Sequence, residues 1–421
     1  SFSGSIHSGH YVLRVDWTQT KNISANTSTI TAKAYLVNDW SLSINGRSDN
    51  MLTVDGTAQT YASPAISGTG TTLLGTVTQT VSHASDGTKS LNMSAVFYIR
   101  ATLSGTYYES ITASATVTLD SIARASGVSA SNATMGSAST ISISRAFSSF
   151  THTLTYAFGS ATGTIATKTT ATSVSWTPPV SLASQIPKAV TGTCTITCTT
   201  YNGSTKIGSK TCTLTVPASV KPTITSLTAA RVDGDVPSLW GIYVQTKSKA
   251  KLTINGAAGS YGSTVSSYSI TGGGYTSTAS SFTTGFLNVS GSVTFTATVT
   301  DSRGRVSAAA TVTISVVAYS PPSFASYLSQ RCLSNGTIND DGTYIRGLVS
   351  YSYDSCGGKN TVTRATYYKK ASDTAWTNAS AAFSSGTAFT FGGGTISTET
   401  SYDIKYTLTD AFTTIAIQDI V

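Results

Sequence analysis

The stretch TCTITCTTYNGSTKIGSKTCTLTV, residues 193–216, decides the fold. Thr alternates with Cys, Ile or Leu on either side of Asn202-Gly203. A period of two marks a strand with one buried face, and Asn-Gly between two such runs marks a tight hairpin. The pattern returns as SVTFTATVTDSRGRVSAAATVTISV (292–316) and SYDIKYTLTDAFTTIAIQDIV (401–421). Its turn-entry residues are Tyr201, Asp301 and Asp410. A repeat of about 100 residues that closes on a hairpin predicts tandem immunoglobulin-like β-sandwiches. The Cys-Trp-Cys hallmark of antibody domains is missing, so only the architecture is expected.

Working outward, other alternating runs are STITAKAYL (28–36) and STISISRAF (139–147). Pro217 and Pro222 bracket one linker, and Pro321-Pro322 marks the next, because proline cannot continue a ladder. Four domains are expected: 1–122, 123–218, 219–318 and 319–421. The last three are immunoglobulin-like. The first lacks the closing hairpin and is expected to be a different β-sandwich. Composition agrees with an all-β chain. Ser (66) and Thr (75) make up a third of the 421 residues, and only two residues are Glu. At 39% hydrophobic residues, the chain is too apolar to be disordered. No apolar run is long enough for a membrane helix.

The formal charge of +8 is local. Between Asp120 and Asp233 there is no carboxylate, while Arg124, Arg145, Lys168, Lys188, Lys206, Lys210, Lys221 and Arg231 fall there. The rest of the chain is electrically balanced. The second domain is therefore the expected contact for a polyanion, with Lys168, Lys188, Lys206 and Lys210 as its candidate surface. Nucleic acid is a poor fit, since the bases are scattered and lack aromatic interleaving. In IYVQTKSKAKLTI (242–254), Ile242, Val244, Ala250, Leu252 and Ile254 should share one face. Lys247, Lys249 and Lys251 should line the other, as on a charge-protected edge strand.

The five Cys are Cys194, Cys198, Cys212, Cys332 and Cys356. An odd count fits reduced thiols. A two-residue turn at Asn202-Gly203 would pair Cys194 with Thr211 and send Cys212 to the opposite face, unless a bulge intervenes. Cys332 with Cys356 stays geometrically open. His7-Ser-Gly-His10 reads as a turn at a strand start rather than a metal pair. Trp17 and Trp40 are expected in the core or at a domain interface, with a glycan-stacking role as the alternative.

The first domain opens FSGSIHSGHYVLRVDWTQ. It includes SLSING (41–46) and VSHASDGTKSLNMSA (81–95), and exits through LDSIARAS (119–126). These segments resemble the N-terminal region of the minor structural proteins of siphoviruses, long-tailed phages of Gram-positive hosts, a tail-associated family of unknown function. The resemblance covers roughly the first 125 residues. Ala123 stands where that family usually has Pro, which implies a looser linker. No catalytic residue comes with the resemblance. Within VSHASDGTKS, Asp86-Gly87 reads as a tight-turn pair that His83 and Asp86 are placed to clasp by hydrogen bonds.

An enzyme would need paired carboxylates, a Cys-His pair or a zinc site. Most acids fall in turns instead: Asp39, Asp49, Asp55, Asp86, Asp233, Asp235, Asp301, Asp340, Asp341 and Asp373. Asn339-Asp340-Asp341-Gly342 reads as a turn, because it lacks the remaining ligands of a calcium loop. No catalytic, cofactor or metal residue is assigned. The expectation is a non-enzymatic structural protein of the virion, on the tail, as a fibre or host-attachment component. It would be made in the host cytoplasm and act at the bacterial surface. Its expected partners are other tail proteins, further copies of itself, and host cell-wall glycan or teichoic acid. The alternatives are a glycan-binding or cell-wall-acting module and a bacterial surface adhesin.

Overall fold

The computed structural model describes residues 1–421, the side chain of Asp233 excepted. The backbone of Asp233 ends the strand Ser226–Asp233, which corrects its expected place in a turn. The protein is all-β, with 58% of residues in strands and 3% in helix. It forms two compact units, residues 1–186 with 191–219, and residues 187–190 with 220–421. Among the described residues, no helix is long and apolar enough to cross a membrane.

The first unit begins with a four-on-four sandwich. One sheet runs in the order Phe2–Ile6, Tyr11–Asn22, Thr27–Ile44, Ile66–Ser82. The other runs Ile111–Thr118, Ser90–Phe97, Asn50–Val54, Thr57–Tyr61. Alternation sends Leu13, Val15, Ile30, Leu36, Leu52, Val54, Phe97 and Ile111 into one shared core, each fully buried. Each such side chain contributes about 1.5–3 kcal/mol of burial energy. Trp17 packs against this core while staying partly exposed.

The next sandwich is three-on-four. Gly127–Ala130, Ser139–Ser144 and Ser173–Trp176 form one sheet. Ala161–Thr169, Phe150–Phe158, Thr191–Asn202 and Thr205–Pro217 form the other. By chain order these are strands one, two and five against four, three, six and seven. The last sandwich repeats that order. Its sheets are Ser323–Cys332, Tyr344–Ser352, Thr387–Phe391 and Thr377–Asn378, Thr363–Lys370, Tyr402–Thr409, Thr414–Ile420. The third repeats it too, with Ser226–Asp233, Ser248–Asn255, Ser281–Thr283 against Tyr275–Ser277, Val265–Gly272, Gly291–Asp301, Ala310–Val317. It adds a short parallel strand, Tyr243–Val244, beside Val316 and Val317. The three closing hairpins are thus the last two strands of three immunoglobulin-like sandwiches.

The repeat reaches into the turn chemistry. Asp301 Oδ1 accepts the N–H of Arg303 and of Arg305, each at 3.0 Å, and Oδ2 accepts the Ser263 hydroxyl at 2.9 Å. Asp410 Oδ1 accepts the N–H of Phe412 at 2.9 Å and of Thr413 at 2.8 Å. Its Oδ2 accepts Asn360 Nδ2 at 3.0 Å and the Tyr319 hydroxyl at 3.1 Å. In both sandwiches one carboxylate oxygen caps the hairpin turn and the other ties it to an earlier loop. Tyr201 occupies this place in the second sandwich.

Two expectations are corrected, and one left open is decided, by contacts that sequence order does not show. First, Ser248–Asn255 is a central strand, bonded to Ser226–Asp233 on one side and Ser281–Thr283 on the other. Ala250, Leu252 and Ile254 do face the core, but Lys249 and Lys251 do not guard an edge. Lys247 lies outside the strand, with its amine over the rings of Tyr319 and Phe412 at 5.4 and 5.5 Å.

Second, a bulge at Ile207 shifts the 193–216 hairpin, pairing Thr200 with Gly208 but Tyr201 with Lys206. Cys194 then faces Leu214, and Cys212 faces Ile196. Cys212 therefore shares the face of Cys194 and Cys198, the outcome reserved for an intervening bulge. All five thiols are free. Burial pushes Cys194, Cys198 and Cys356 up to about 11.

Third, the segment around Ala123 is pinned rather than loose. Ile122 is buried and donates its N–H to Gly87 O at 2.9 Å. The Arg124 guanidinium donates to Ile23 O at 3.1 Å and to Ile207 O at 2.8 Å. It thereby joins the two sandwiches of the first unit with charge-assisted bonds.

Candidate functional site

The long strand Thr27–Ile44 buries every even-numbered residue from Ser28 to Asn38, then Leu42. By that alternation Trp40 belongs in the core. A bulge turns it out. Asn38 pairs with Gly70 and Leu42 with Gly68, so Asp39, Trp40 and Ser41 stand opposite Thr69 alone. Gly68 and Gly70 have φ of +91° and +136°, a backbone that side-chain-bearing residues rarely adopt. Buried Asn38 locks the bulge, donating Nδ2–H to Trp40 O at 2.7 Å and to Gly68 O at 2.8 Å. The Tyr11 hydroxyl donates to Ser41 O at 3.2 Å. Bulges of this kind re-aim side chains beside functional sites.

The result is an aromatic shelf. Trp40 is 45% exposed. Its indole lies on the His10 imidazole, with ring centroids 3.9 Å apart and planes 19° from parallel. His10 Nδ1 is 2.8 Å from Asp39 Oδ1. His7 meets Trp40 edge-on at 5.1 Å, and its Nδ1 lies 3.4 Å from the Tyr108 hydroxyl. A cleft of about 500 Å³ opens beside the indole, lined by Tyr11, Asp39, Trp40, Ser41, Thr102, Leu103 and Ser104. Burial, with Asp39 nearby, holds the Tyr11 phenol above its ordinary pKa.

The far wall is the hairpin Ala101–Leu103 with Thr106–Tyr108. Its turn, Ser104-Gly105, has φ of +45° and +86°, the left-handed pair that a two-residue hairpin requires. Arg100 anchors its base, bonding Asp49 at 2.6 Å and Glu109 at 2.8 Å. Those bonds from Arg100, with one from the Tyr107 hydroxyl, hold Glu109 below the usual carboxylate range.

His7-Ser-Gly-His10 does form a turn, with the short 3-10 segment His7–Gly9 leading into the strand at Tyr11. Among the described residues, no group of three His, Cys, Asp or Glu is placed to hold a metal. His10 is oriented by Asp39 as a catalytic base would be. Its ring, however, lies flat on an indole, and its side chain hydrogen-bonds to that carboxylate. The cluster is built to hold an aromatic face.

The other sequence candidates lie elsewhere. His83 and Asp86 both clasp their turn, but not to each other. His83 Nδ1 lies 2.8 Å from Gly87 O and Nε2 lies 2.7 Å from Ser28 Oγ. Asp86 Oδ1 accepts the Thr88 hydroxyl at 2.7 Å and the Thr88 N–H at 3.0 Å, which lowers its pKa. Gly87 has φ of +86°, and a Cβ there would fall 1.9 Å from Ile122 O. Lys168 puts its amine 3.1 Å from the centroid of Tyr201, and Lys206 pairs with Tyr201 across the hairpin. Lys210 lines a separate cleft with Asp86 and Arg124. These three are exposed in the first unit, whereas Lys188 belongs to the second. Asn339-Asp340-Asp341-Gly342 is a turn in which Asn339 Oδ1 accepts the Asp341 N–H at 2.8 Å.

The Trp40 shelf is the feature that sequence reasoning misplaced. The structure takes Trp40 out of the expected core or interface and leaves the exposed alternative, and Asp39, expected in a turn, lies in the strand Thr27–Ile44 beside it. The signal present was a glycine pair in ISGTG (66–70) along an otherwise regular strand, which hints at a bulge.

Comparison with known proteins gives a family. The model described as "Siphovirus protein of unknown function (DUF859)" matches residues 4–421. No curated protein matches. Three solved structures are distantly similar. The fibronectin(III)-like modules of Clostridium thermocellum CbhA share 16% identity over 46% of this chain and 95% of theirs, with a TM-score of 0.21. A Ca2+-stabilized adhesin with which an Antarctic bacterium binds ice shares 13% over 96% and 97%, with a TM-score of 0.36. The FN1-FN3 domains of chicken CNTN1 share 10% over 71% and 99%, with a TM-score of 0.21.

Proposed function

The chain belongs to this siphovirus protein family, and on that premise we propose that it is a non-enzymatic structural component of the virion. In this reading it sits on the tail as a fibre or attachment part. The N-terminal sandwich carries the contact site, and the three immunoglobulin-like sandwiches serve as spacer or adhesive modules. The observation that carries the reading is the repetition itself. One strand order recurs three times, and its carboxylates Asp301 and Asp410 cap turns instead of facing a cleft. A modular, turn-stabilised chain suits reach and repeated weak contact.

The partners that follow are other tail proteins, further copies of this chain, and host wall glycan or teichoic acid. Immunogold labelling of intact particles with antibody to the last sandwich tests the location. Gold at the tail is the expected result, and particles without gold would overturn it. Incubation of the purified chain with host walls tests the absence of enzymatic activity. No release of sugar or peptide is expected, and release would overturn that part.

A further inference from the structure

We infer that the cleft beside Trp40 is a carbohydrate-binding site that takes a neutral hexose ring. Four observations carry this. The first is the platform. By the period of its strand Trp40 would be buried, yet a bulge with two positive-φ glycines turns its indole into solvent. The C–H face of a pyranose is apolar and weakly positive, and it complements the negative face of an indole.

The second is preorganisation. His10 covers one side of the indole, Asp39 holds His10, and Asn38 holds the backbone of the bulge. Little side-chain freedom remains to be lost when a ring lands on the shelf. The third is the polar rim. Ser41, Thr102 and Ser104 line the cleft with Asp39, whose Oδ1 is engaged by His10. Oδ2 and the hydroxyls are suited to the donors and acceptors of sugar hydroxyls. The cleft, about 500 Å³, is open to solvent.

The fourth is charge. No Lys or Arg lines the cleft, and its single carboxylate faces His10. An acidic sugar or a phosphate-linked polymer would meet the Asp39 carboxylate with no Lys or Arg in the lining to balance it. A neutral saccharide meets no such opposition, so the site differs in kind from the basic second sandwich. The inference rests on the attachment half of the proposed function.

The test uses the full chain and calorimetric titration with neutral trisaccharides of glucose, galactose, rhamnose or N-acetylglucosamine. Sialyllactose and a glycerol-phosphate oligomer serve as charged probes. At least one neutral probe should bind, and both charged probes should bind at least tenfold more weakly. Trp40→Ala should weaken binding at least tenfold. Thr102→Arg, which narrows the cleft from the opposite wall and leaves the bulge untouched, should do the same, with circular dichroism unchanged in both. No neutral probe binding, a preference for a charged probe, or full affinity in either variant would overturn the inference. A peptide or protein occupant would show itself as the first of these. Particle labelling is independent of saccharide binding, so failure here leaves the virion reading to its own test.

Discussion

The indole of Trp40 lies flat on the imidazole of His10, with centroids 3.9 Å apart and planes 19° from parallel. The partner that fixes the shelf comes from the turn leading into the neighbouring strand Tyr11–Asn22, thirty residues earlier in sequence. Aromatic contacts of this kind contribute about 0.5–1.5 kcal/mol. His10→Ala should therefore destabilise the first unit by about 0.5–1.5 kcal/mol, seen as a melting temperature a few degrees lower, and, by freeing the indole, weaken saccharide binding about twofold or more. Titration of this variant beside the parent chain checks it. Undiminished affinity would mean that the shelf needs no support.

Gly87→Ala should destabilise the first unit strongly. The new methyl would be placed 1.9 Å from Ile122 O, at a residue with φ of +86°. The shift it forces breaks the Ile122 N–H bond to Gly87 O and the contact from His83. A loss of about 2–4 kcal/mol is expected, seen as an earlier first transition in a thermal melt.

Asp301 should make the third sandwich acid-sensitive. Burial alone would raise its pKa. The N–H groups of Arg305 and Arg303, the Ser263 hydroxyl and the Arg303 guanidinium outweigh burial and hold it below the usual range. A carboxylate depressed in the folded state stabilises fully above its unfolded value of about 3.9. That contribution is lost as pH falls through the lower folded value. Stability measured by denaturant should fall below about pH 4. Asp301→Asn should lose about 3 kcal/mol at pH 7, because Arg303 stays buried without its carboxylate, and should show a flatter acid limb. An unchanged acid limb in the variant would contradict the assignment.

Charge reversal tests the basic second sandwich. Lys168, Lys206 and Lys210 are exposed in the first unit. Changing all three to Glu should weaken binding of a glycerol-phosphate oligomer roughly tenfold at low salt and flatten its salt dependence. Unchanged binding would make the net charge a matter of composition alone.

The all-β fold and the closing hairpins were legible because Thr/Val/Ile alternation reads locally. Each of the three hairpins quoted from sequence pairs as expected in outline. Where period-two reading stops, the cause is the same. A single extra residue at Ile207 reverses the face of Cys212, and the extra residues at Asp39–Ser41 reverse that of Trp40. Neither bulge leaves a strong mark in a period-two pattern. The strand of Lys249 and Lys251 reads as an edge in sequence because its neighbours, Ser226–Asp233 and Ser281–Thr283, are set by sheet order rather than by its own residues. The resemblance read from the first 125 residues was narrower than the family match, which runs from residue 4 to 421. The shelf itself joins His7, His10, Trp40 and Tyr108, a meeting that only the folded sheet order creates.

Quantitative mass spectrometry of gradient-purified particles tests the central claim most directly. Peptides of this chain should co-sediment with the major capsid protein at one fixed ratio in every particle-bearing fraction. Their absence from particles, with abundance in the lysate that yielded them, would contradict a structural role in the virion.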